Sequence, residues 1–239
     1  MSSPVGIGEL NERSLHRTLK ALYAAPGSLS EQLIDGYVVD VLTGARIIEI
    51  HTGGFSRLKR KLPRLLESRS VTLVHPIAKD RFIIKRTDPA GDIKRTDPAG
   101  DGATRRKSPK HGSVFSVFAG LTSIPKLLAH PNFTLEAVIT VEEEIRVPNP
   151  RRNRGRGGWT AIDRRLVEVL ETHRIESMGD LFAMLDACLP AAFTTADLAS
   201  AMHAPRRLGQ QAAFCLREAG LVEICGKTGN ALQYRRCKR

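Results

Sequence analysis

The stretch Gly36-Tyr-Val-Val-Asp-Val-Leu-Thr-Gly-Ala-Arg-Ile-Ile-Glu-Ile-His51 predicts a tight β-hairpin. Two apolar, β-branched runs at residues 37–42 and 46–51 flank the turn residues Thr43-Gly44. If residues 44 and 45 are the central turn residues, residue 42 pairs with 47, 41 with 48 and 40 with 49. The hairpin therefore places two acidic residues opposite one another.

Asp40 and Glu49 are these two acids, and their Cβ atoms are expected within about 5.5 Å of one another on one face. Like charges so close repel each other, and a bound divalent cation is the commonest reason for such a pair. His51 follows two residues after Glu49 and is expected on the same face. Alternatively, Asp40 is a surface acid at a strand end and Glu49 a charge that protects an edge strand from aggregation.

The order of these residues resembles the PD-(D/E)XK nuclease superfamily, in which a helix glutamate precedes a strand aspartate and an acid-x-Lys triplet. Asn11-Glu12-Arg13-Ser14-Leu15 is similar to the helix that supplies the glutamate in Holliday-junction-resolvase-like members. The resemblance implies that Asp40 is the strand aspartate and Glu49-Ile50-His51 the triplet. It covers about the first third of the chain and implies a restriction-endonuclease-like fold.

The resemblance also implies a chemistry. Glu12, Asp40 and Glu49 would bind Mg²⁺ or Mn²⁺, which polarises a phosphate and lowers the pKa of the attacking water. His51 departs from the lysine of the family: it is either a base near neutral pH or the remnant of an inactive site. A lysine from the following helix, with Lys59 the nearest candidate, is the other source of a base.

Composition points to a polyanionic partner. The 239 residues include 37 Lys and Arg against 25 Asp and Glu, a net charge of +12. Nucleic acid is the first candidate for this partner, and a solvated basic surface is the alternative. Aromatic residues make up only 5%, which argues against a platform that stacks single strands. No apolar run has the length of a membrane span or a signal segment. The four cysteines lack metal-ligand spacing, so we expect free thiols and a cytoplasmic protein.

Stretches rich in Pro, Gly and Arg divide the chain into five predicted segments. They are a nuclease-like domain (1–86), a basic linker with an internal duplication (87–112), a helix and strand segment (113–147), an Arg/Gly-rich linker (148–158) and a C-terminal domain (159–239). Residues 71–76 and 81–85 are predicted as two strands, and residues 55–68 as a helix that Pro63 should interrupt. The spacing of apolar residues also predicts helical structure from Trp159 onwards. The fold class is α/β or α+β.

The C-terminal segment resembles a winged helix-turn-helix. A short helix at 197–203, a longer helix at 206–219 and two strands follow one another. The resemblance implies that the longer helix reads duplex DNA in the major groove and that the strands form a wing. The implied DNA contacts are Arg206, Arg207, Gln210 and Gln211 on the helix and Lys227 and Asn230 on the wing, with residues 235–239 on the flanking backbone. A winged helix used for protein contact is the alternative.

The whole chain is also similar to an uncharacterised bacterial family with the same two-part organisation, which supplies no activity. Glu142-Glu143-Glu144 is interpreted as an acidic helix start or a solvated face rather than a second metal site. The leading function is therefore metal-dependent cleavage of DNA. A catalytically inactive DNA-binding or regulatory protein, RNA processing and a homodimer stay open.

Overall fold

The computed structural model describes residues 13–86, 104–149 and 158–237. It is a mixed α+β structure with a large mixed sheet, as the predicted fold class requires. Its helices are α1 (Ser14–Tyr23), α2 (Lys61–Leu66), α3 (Phe118–Leu121), α4 (Met178–Asp186), α5 (Thr195–Ala201) and α6 (Arg206–Glu218). Its strands are β1 (Leu29–Ile34), β2 (Tyr37–Thr43), β3 (Arg46–Ile50), β4 (Ser70–Lys85), β5 (Thr104–Lys107), β6 (Phe133–Pro148), β7 (Trp159–Ile175), β8 (Ala192–Phe193), β9 (Val222–Thr228) and β10 (Ala231–Arg236).

Seven strands form the large sheet in the order β1-β2-β3-β4-β6-β7, and β5 pairs with the distal half of β4. Strands β1, β2 and β3 are antiparallel neighbours, whereas β3, β4 and β6 are parallel to one another. Parallel strands need a crossover connection. A 3₁₀ turn at Phe55–Leu58 together with α2 provides it between β3 and β4.

The predicted hairpin is confirmed in its turn and register. Thr43 pairs with Arg46, residue 42 with 47 and residue 41 with 48. The ladder between β2 and β3 ends at the pair of residues 41 and 48. The predicted direct pairing of Asp40 with Glu49 is therefore wrong.

Two layers of apolar side chains cover the large sheet. Leu15 and Leu19 of α1 pack with Val41, Ile48 and other residues on one face. The larger cluster on the other face joins the crossover after β3, α3 and the C-terminal helices. The thiol of Cys215 in α6 lies 3.9 Å from the carbonyl oxygen of Phe118 in α3. The C-terminal helices therefore pack against the elements that cover the sheet.

Two sequence predictions are wrong in this region. Residues 71–85, predicted as two strands, form one continuous strand, and the β4–β6 ladder only shifts its register between Ala78 and Asp80. The segment from Trp159 is β7 rather than a helix, and residues 104–107 of the predicted linker form β5. The β6–β7 ladder shifts register at three places, and each shift interrupts the two-residue alternation by which a strand is recognised.

Glu142-Glu143-Glu144 is also corrected, since it lies within β6 rather than at a helix start. The Glu142 side chain is fully buried, with Arg81 Nη2 at 3.1 Å and Arg164 Nη1 at 3.5 Å from one of its carboxylate oxygens. Thr140 donates a hydrogen bond to the other oxygen at 3.1 Å. Buried carboxylates require such partners, and two of these come from strands distant in sequence.

The C-terminal part of the chain has three helices and a small antiparallel sheet in the order β8-β10-β9. The side chain of Thr194 caps α5 by accepting hydrogen bonds from the backbone N–H groups of Ala196 and Asp197. Gly209 of α6 lies so close to α5 that an added Cβ would be 2.1 Å from the carbonyl oxygen of Thr195. The absence of a side chain at Gly209 sets the distance between the two helices.

The division of the chain into five segments stays a prediction. The duplicated residues 87–101 and most of the Arg/Gly-rich segment lie outside the described residues. Within the described ranges, none of the helices is long and apolar enough to cross a membrane. All four cysteines fall in those ranges and none of them forms a disulfide.

Candidate active site

Asp40 lies at an irregular point of the hairpin. The β1–β2 ladder pairs Ser30 with Val41 and Gln32 with Val39, and between them Glu31 adopts a left-handed backbone conformation with φ of 55°. On the other side, the backbone N–H of Ile50 donates a 2.8 Å hydrogen bond to Asp40 Oδ2. The carboxylate therefore accepts a hydrogen bond that a strand carbonyl would otherwise take, and this fixes its orientation.

Glu49 is only 4% exposed and lies against the crossover helix. Lys61, the first residue of α2, places its Nζ 2.7 Å from Glu49 Oε2 and 2.6 Å from the carbonyl oxygen of Val38. The other carboxylate oxygen, Oε1, is buried and has no hydrogen-bond partner among the described residues. A buried, unpartnered carboxylate oxygen is costly unless something else binds it.

The lysine beside the acids is therefore Lys61 and not Lys59, whose side chain is exposed. Sequence reasoning placed the helix at residues 55–68, but Pro63 lies in the first turn of α2 and the preceding residues form the 3₁₀ turn. Proline is tolerated in a first turn because its missing N–H would have no partner there. Pro63 was the signal that the helix begins near residue 61.

The two carboxyl groups have opposite pKa shifts. Burial raises the pKa of Glu49 to about 7, and the nearby Asp40 also raises it, while Lys61 lowers it. Burial acts on Asp40 in the same direction, but His16, the Ile50 N–H and Lys61 together hold its pKa below the ordinary value. A pair whose environments separate the two pKa values is typical of acid–base sites.

His16 of α1 completes this cluster, with its Nε2 3.3 Å from Asp40 Oδ2. Sequence reasoning missed it, although residues four apart share one side of a helix and Glu12 had been assigned to a predicted helix. Glu12, the predicted third carboxylate, lies outside the described residues. The structure thus brings together Asp40, Glu49, Lys61 and His16. Across residues 13–86, 104–149 and 158–237, no group of three or more His, Cys, Asp and Glu could hold a metal ion.

His51 follows the end of β3, and its ring Nε2 lies 2.9 Å from the carbonyl oxygen of Gly54. Burial lowers the pKa of this imidazole, so its neutral form is favoured. The carbonyl oxygen of His51 accepts a 2.6 Å hydrogen bond from Nδ1 of His75 on β4. His75 therefore supports the backbone at the point where the acid-x-base triplet ends.

His75 should make stability depend on pH. Burial lowers its pKa from 6.5 to about 4, so the unfolded chain takes up this proton first as pH falls. The stabilisation is complete above pH 6.5 and is lost as pH falls towards 4, by about 2 to 3 kcal/mol. We expect His75→Asn, which keeps a donor near Nδ1, to lose less stability than the parent between pH 7 and 4.5 in urea unfolding. Equal losses in both proteins would contradict this assignment.

The predicted DNA-contacting residues lie in the first half of α6 and at the turn between β9 and β10. Arg206, Arg207 and Gln210 are exposed at the start of α6, and Gln211 is half-buried. Lys227 and Asn230 are exposed where β9 turns into β10. The structure leaves these side chains accessible, and whether they contact DNA stays a prediction.

Arg235 and Arg236, which belong to the tail predicted to contact the DNA backbone, have partners within the protein, and the DNA contact stays a prediction. Arg235 pairs with Glu223 at 2.7 Å across the small sheet. Arg236 pairs with Asp186, and its Nη2 donates to the carbonyl oxygens of Asp186 and Leu189. Its guanidinium therefore binds the carbonyl groups at the end of α4. Residues 238–239 lie outside the described residues.

Comparison with known proteins identifies relatives without an assigned activity. A protein of Treponema pallidum (strain Nichols), described as an uncharacterized protein, is 31% identical over 235 residues, which covers 96% of this chain and 87% of the relative. No solved structure matches the chain. A family described as a domain of unknown function (DUF8091) matches residues 13–176, which include the large sheet and the acidic pair. The chain belongs to this family.

Proposed function

We propose that this protein is a divalent-metal-dependent nuclease that hydrolyses phosphodiester bonds in DNA. The observation that carries the proposal is the buried Glu49 carboxylate, whose Oε1 lacks a partner among the described residues beside the oriented carboxylate of Asp40. Lys61 is held 2.7 Å from Glu49 in the same cluster. A site that cleaves phosphodiester bonds requires two acids and a lysine, with a carboxylate oxygen that can still bind a cation.

The order of elements supports a restriction-endonuclease-like core. A helix, three antiparallel strands, a crossover helix and a parallel strand follow one another as α1, β1, β2, β3, α2 and β4. This order is similar to that of the PD-(D/E)XK superfamily, with Asp40 on the second strand and Glu49 on the third. Lys61 offers a cation at the acids in place of the lysine that His51 replaces.

The residues present fit a divalent cation. Mg²⁺ is commonly held by one or two carboxylates, with water and substrate phosphates completing its coordination. Asp40 and the unpartnered oxygen of Glu49 would be those carboxylates, and Glu12 is the further candidate. The bound ion would polarise the phosphate and generate a hydroxide-like nucleophile near neutral pH.

The residues of the chain have distinct tasks in this proposal. The Ile50 N–H fixes the direction of the Asp40 carboxylate, and His16 favours its ionised form. Lys61 holds Glu49 in place and balances its charge in a buried position. His51, whose neutral form burial favours, is the candidate to accept a proton from water.

The C-terminal part supports duplex DNA as the partner. Helix α4, strand β8, helices α5 and α6 and the β9–β10 hairpin follow the order of a winged helix, with Arg206 and Arg207 exposed at the start of its third helix. The net charge of +12 favours binding to phosphates throughout.

A cleavage assay tests the proposal. Purified protein is incubated with supercoiled plasmid, linear duplex and RNA in Mn²⁺, in Mg²⁺ and in EDTA. We expect DNA cleavage that requires the metal. Absence of cleavage of every substrate in both metals would reject the nuclease and leave the inactive DNA-binding protein, which the replacement of the family lysine by His51 favours. Cleavage of RNA alone would assign the site to RNA processing.

Lys61 gives a more specific prediction. Lys61→Ala should lower the cleavage rate roughly 100-fold, because Glu49 loses the group that positions it and small displacements of catalytic groups are costly. Lys61→Arg should retain more activity than Lys61→Ala because it keeps the charge. Lys59→Ala is the matched control, since Lys59 is exposed two residues away, and its rate should equal that of the parent. A slow Lys59 variant beside a normal Lys61→Ala variant would reverse the assignment.

The proposed DNA contacts are tested by binding in EDTA, where cleavage is prevented. Arg206→Ala together with Arg207→Ala should weaken duplex binding by the full chain and reduce the slope of log affinity against log salt by about 2. Arg46→Ala, at the exposed start of β3, is the control and should preserve the slope. An unchanged slope in the double variant would favour protein contact as the role of the C-terminal part.

A further inference from the structure

A cavity of about 430 Å³ begins where the acidic pair ends. Its walls are the loop Thr52-Gly53-Gly54, the middle of β4, residues 108–112 and the start of α3. The loop starts three residues after Glu49, and Arg164 of β7 donates a 2.9 Å hydrogen bond to the carbonyl oxygen of Thr52. The cavity and the candidate active site therefore share the same short segment of chain.

The lining of the cavity is basic. Arg81, Arg164 and Lys110 contribute three permanent cations, and His75 and His111 contribute imidazoles. Within the described part of the chain, the lining includes no Asp or Glu. Ser108 and Ser116 add hydroxyl groups. A concave surface with convergent cations and hydroxyls is suited to an anionic ligand.

Buried glutamates hold the two cavity arginines, Arg81 and Arg164, in place. Glu142, fully buried, lies between Arg81 and Arg164, and Glu144 lies 3.5 Å from Arg81. The side chain of Arg81 nevertheless has a buried Nε without a hydrogen-bond partner among the described residues. Lys110 is exposed and forms no ion pair within the same ranges. The cavity thus has two oriented guanidinium groups and an exposed lysine.

We infer that this cavity binds the terminal phosphate of a nucleic-acid strand, a substrate class that rests on the proposed nuclease function. A terminal phosphate is a monoester that carries a charge of about −1.5 to −2 near neutral pH, against −1 for an internal diester. Two guanidinium groups held in place by buried glutamates, together with the exposed Lys110, give the cavity the cationic donors that a phosphate monoester requires. The volume lies within the range of about 300–1,000 Å³ for small-molecule sites and leaves room for the attached nucleotide.

The inference predicts which strand ends the site binds best. A strand held by its terminal phosphate places the internucleotide bonds nearest that end beside the loop 52–54 and hence beside Asp40 and Glu49. Phosphorylated ends would then be bound in preference to ends that carry a hydroxyl group, independently of base sequence.

Binding is measured with the full chain in EDTA, so that the result does not depend on cleavage. The probes are inorganic phosphate and one single-stranded oligonucleotide in three forms: with a 5′-phosphate, with a 3′-phosphate and with hydroxyl groups at both ends. We expect one phosphorylated form to bind at least about tenfold tighter than the hydroxyl form, which corresponds to about 1.4 kcal/mol.

A matched pair of variants tests the place of binding. Ala119 is exposed at the edge of the cavity, so Ala119→Glu adds a negative charge there and Ala119→Gln adds the same bulk without charge. The preference for the phosphorylated end should be lost in Ala119→Glu and in Lys110→Ala. It should persist in Ala119→Gln and in Lys126→Ala, an exposed lysine outside the cavity.

Equal affinity for all three oligonucleotides would overturn the inference, as would a preference that survives in Ala119→Glu and Lys110→Ala. Competition by inorganic phosphate without a preference for phosphorylated ends would assign the cavity to a free phosphate or a small phosphorylated molecule instead. A protein that prefers phosphorylated ends but cleaves no nucleic acid would reject the proposed nuclease and leave this inference intact.

Discussion

Asp40→Asn and Glu49→Gln should each lower metal-dependent cleavage by on the order of 10³-fold, about 4 kcal/mol of transition-state stabilisation. Each substitution preserves shape: Asn can still accept the hydrogen bond from the Ile50 N–H, and Gln can still accept one from Lys61. Both remove the negative charge that a divalent cation requires. The loss should therefore come from chemistry and not from unfolding.

Calorimetric titration with Mn²⁺ should find binding in the parent and little or none in these two variants. Glu67→Gln is the control, because Glu67 is an exposed acid on the same crossover that pairs with exposed Arg64, and it should bind metal and cleave as the parent does. Parent-like cleavage by the Asp40 and Glu49 variants would place the reaction elsewhere in the molecule.

Glu142→Gln should destabilise the protein by about 3 to 5 kcal/mol, because it leaves Arg81 and Arg164 without their buried counter-charge. The matched control is the next residue. Glu143 is partly exposed and pairs with exposed Arg105 at 3.3 Å, so Glu143→Gln should cost less than about 1 kcal/mol. Urea unfolding at pH 7 measures both, and equal costs would mean that the position of Glu142 between the two guanidinium groups is not important for stability.

The sequence was sufficient for features whose signal is local. The alternation of residues 37–51 and the turn at Thr43-Gly44 predicted both the hairpin and its register. Residues 206–219 were predicted as a helix and form α6, and the two strands predicted after it are β9 and β10. In each of these segments the residues that determine the structure are neighbours in sequence, so that a short window contains the evidence.

Features that depend on distant partners could not be predicted in this way. Three consecutive glutamates gave no indication that Glu142 is buried, because its two arginines come from β4 and β7. Strand β7 has 17 residues, but the register shifts between β6 and β7 give its apolar residues a spacing that resembles that of a helix. At the acidic pair, the residue types were predicted, but the contact of Lys61 with Glu49 depends on how the crossover lies against the sheet.

The small sheet also constrains the order in which the C-terminal part can form. Its central strand, β10, is translated after both of its neighbours, β8 and β9. Until β10 emerges from the ribosome, β8 has no partner in this sheet and Arg236 is not available to bind the end of α4. The pairing of β1, β2 and β3 has no such dependence on the distal chain, because these strands are consecutive in sequence. Ribosome-bound chains that stop before Ala231 should therefore be cut readily by protease after α4 while the hairpin that carries Asp40 is already protected.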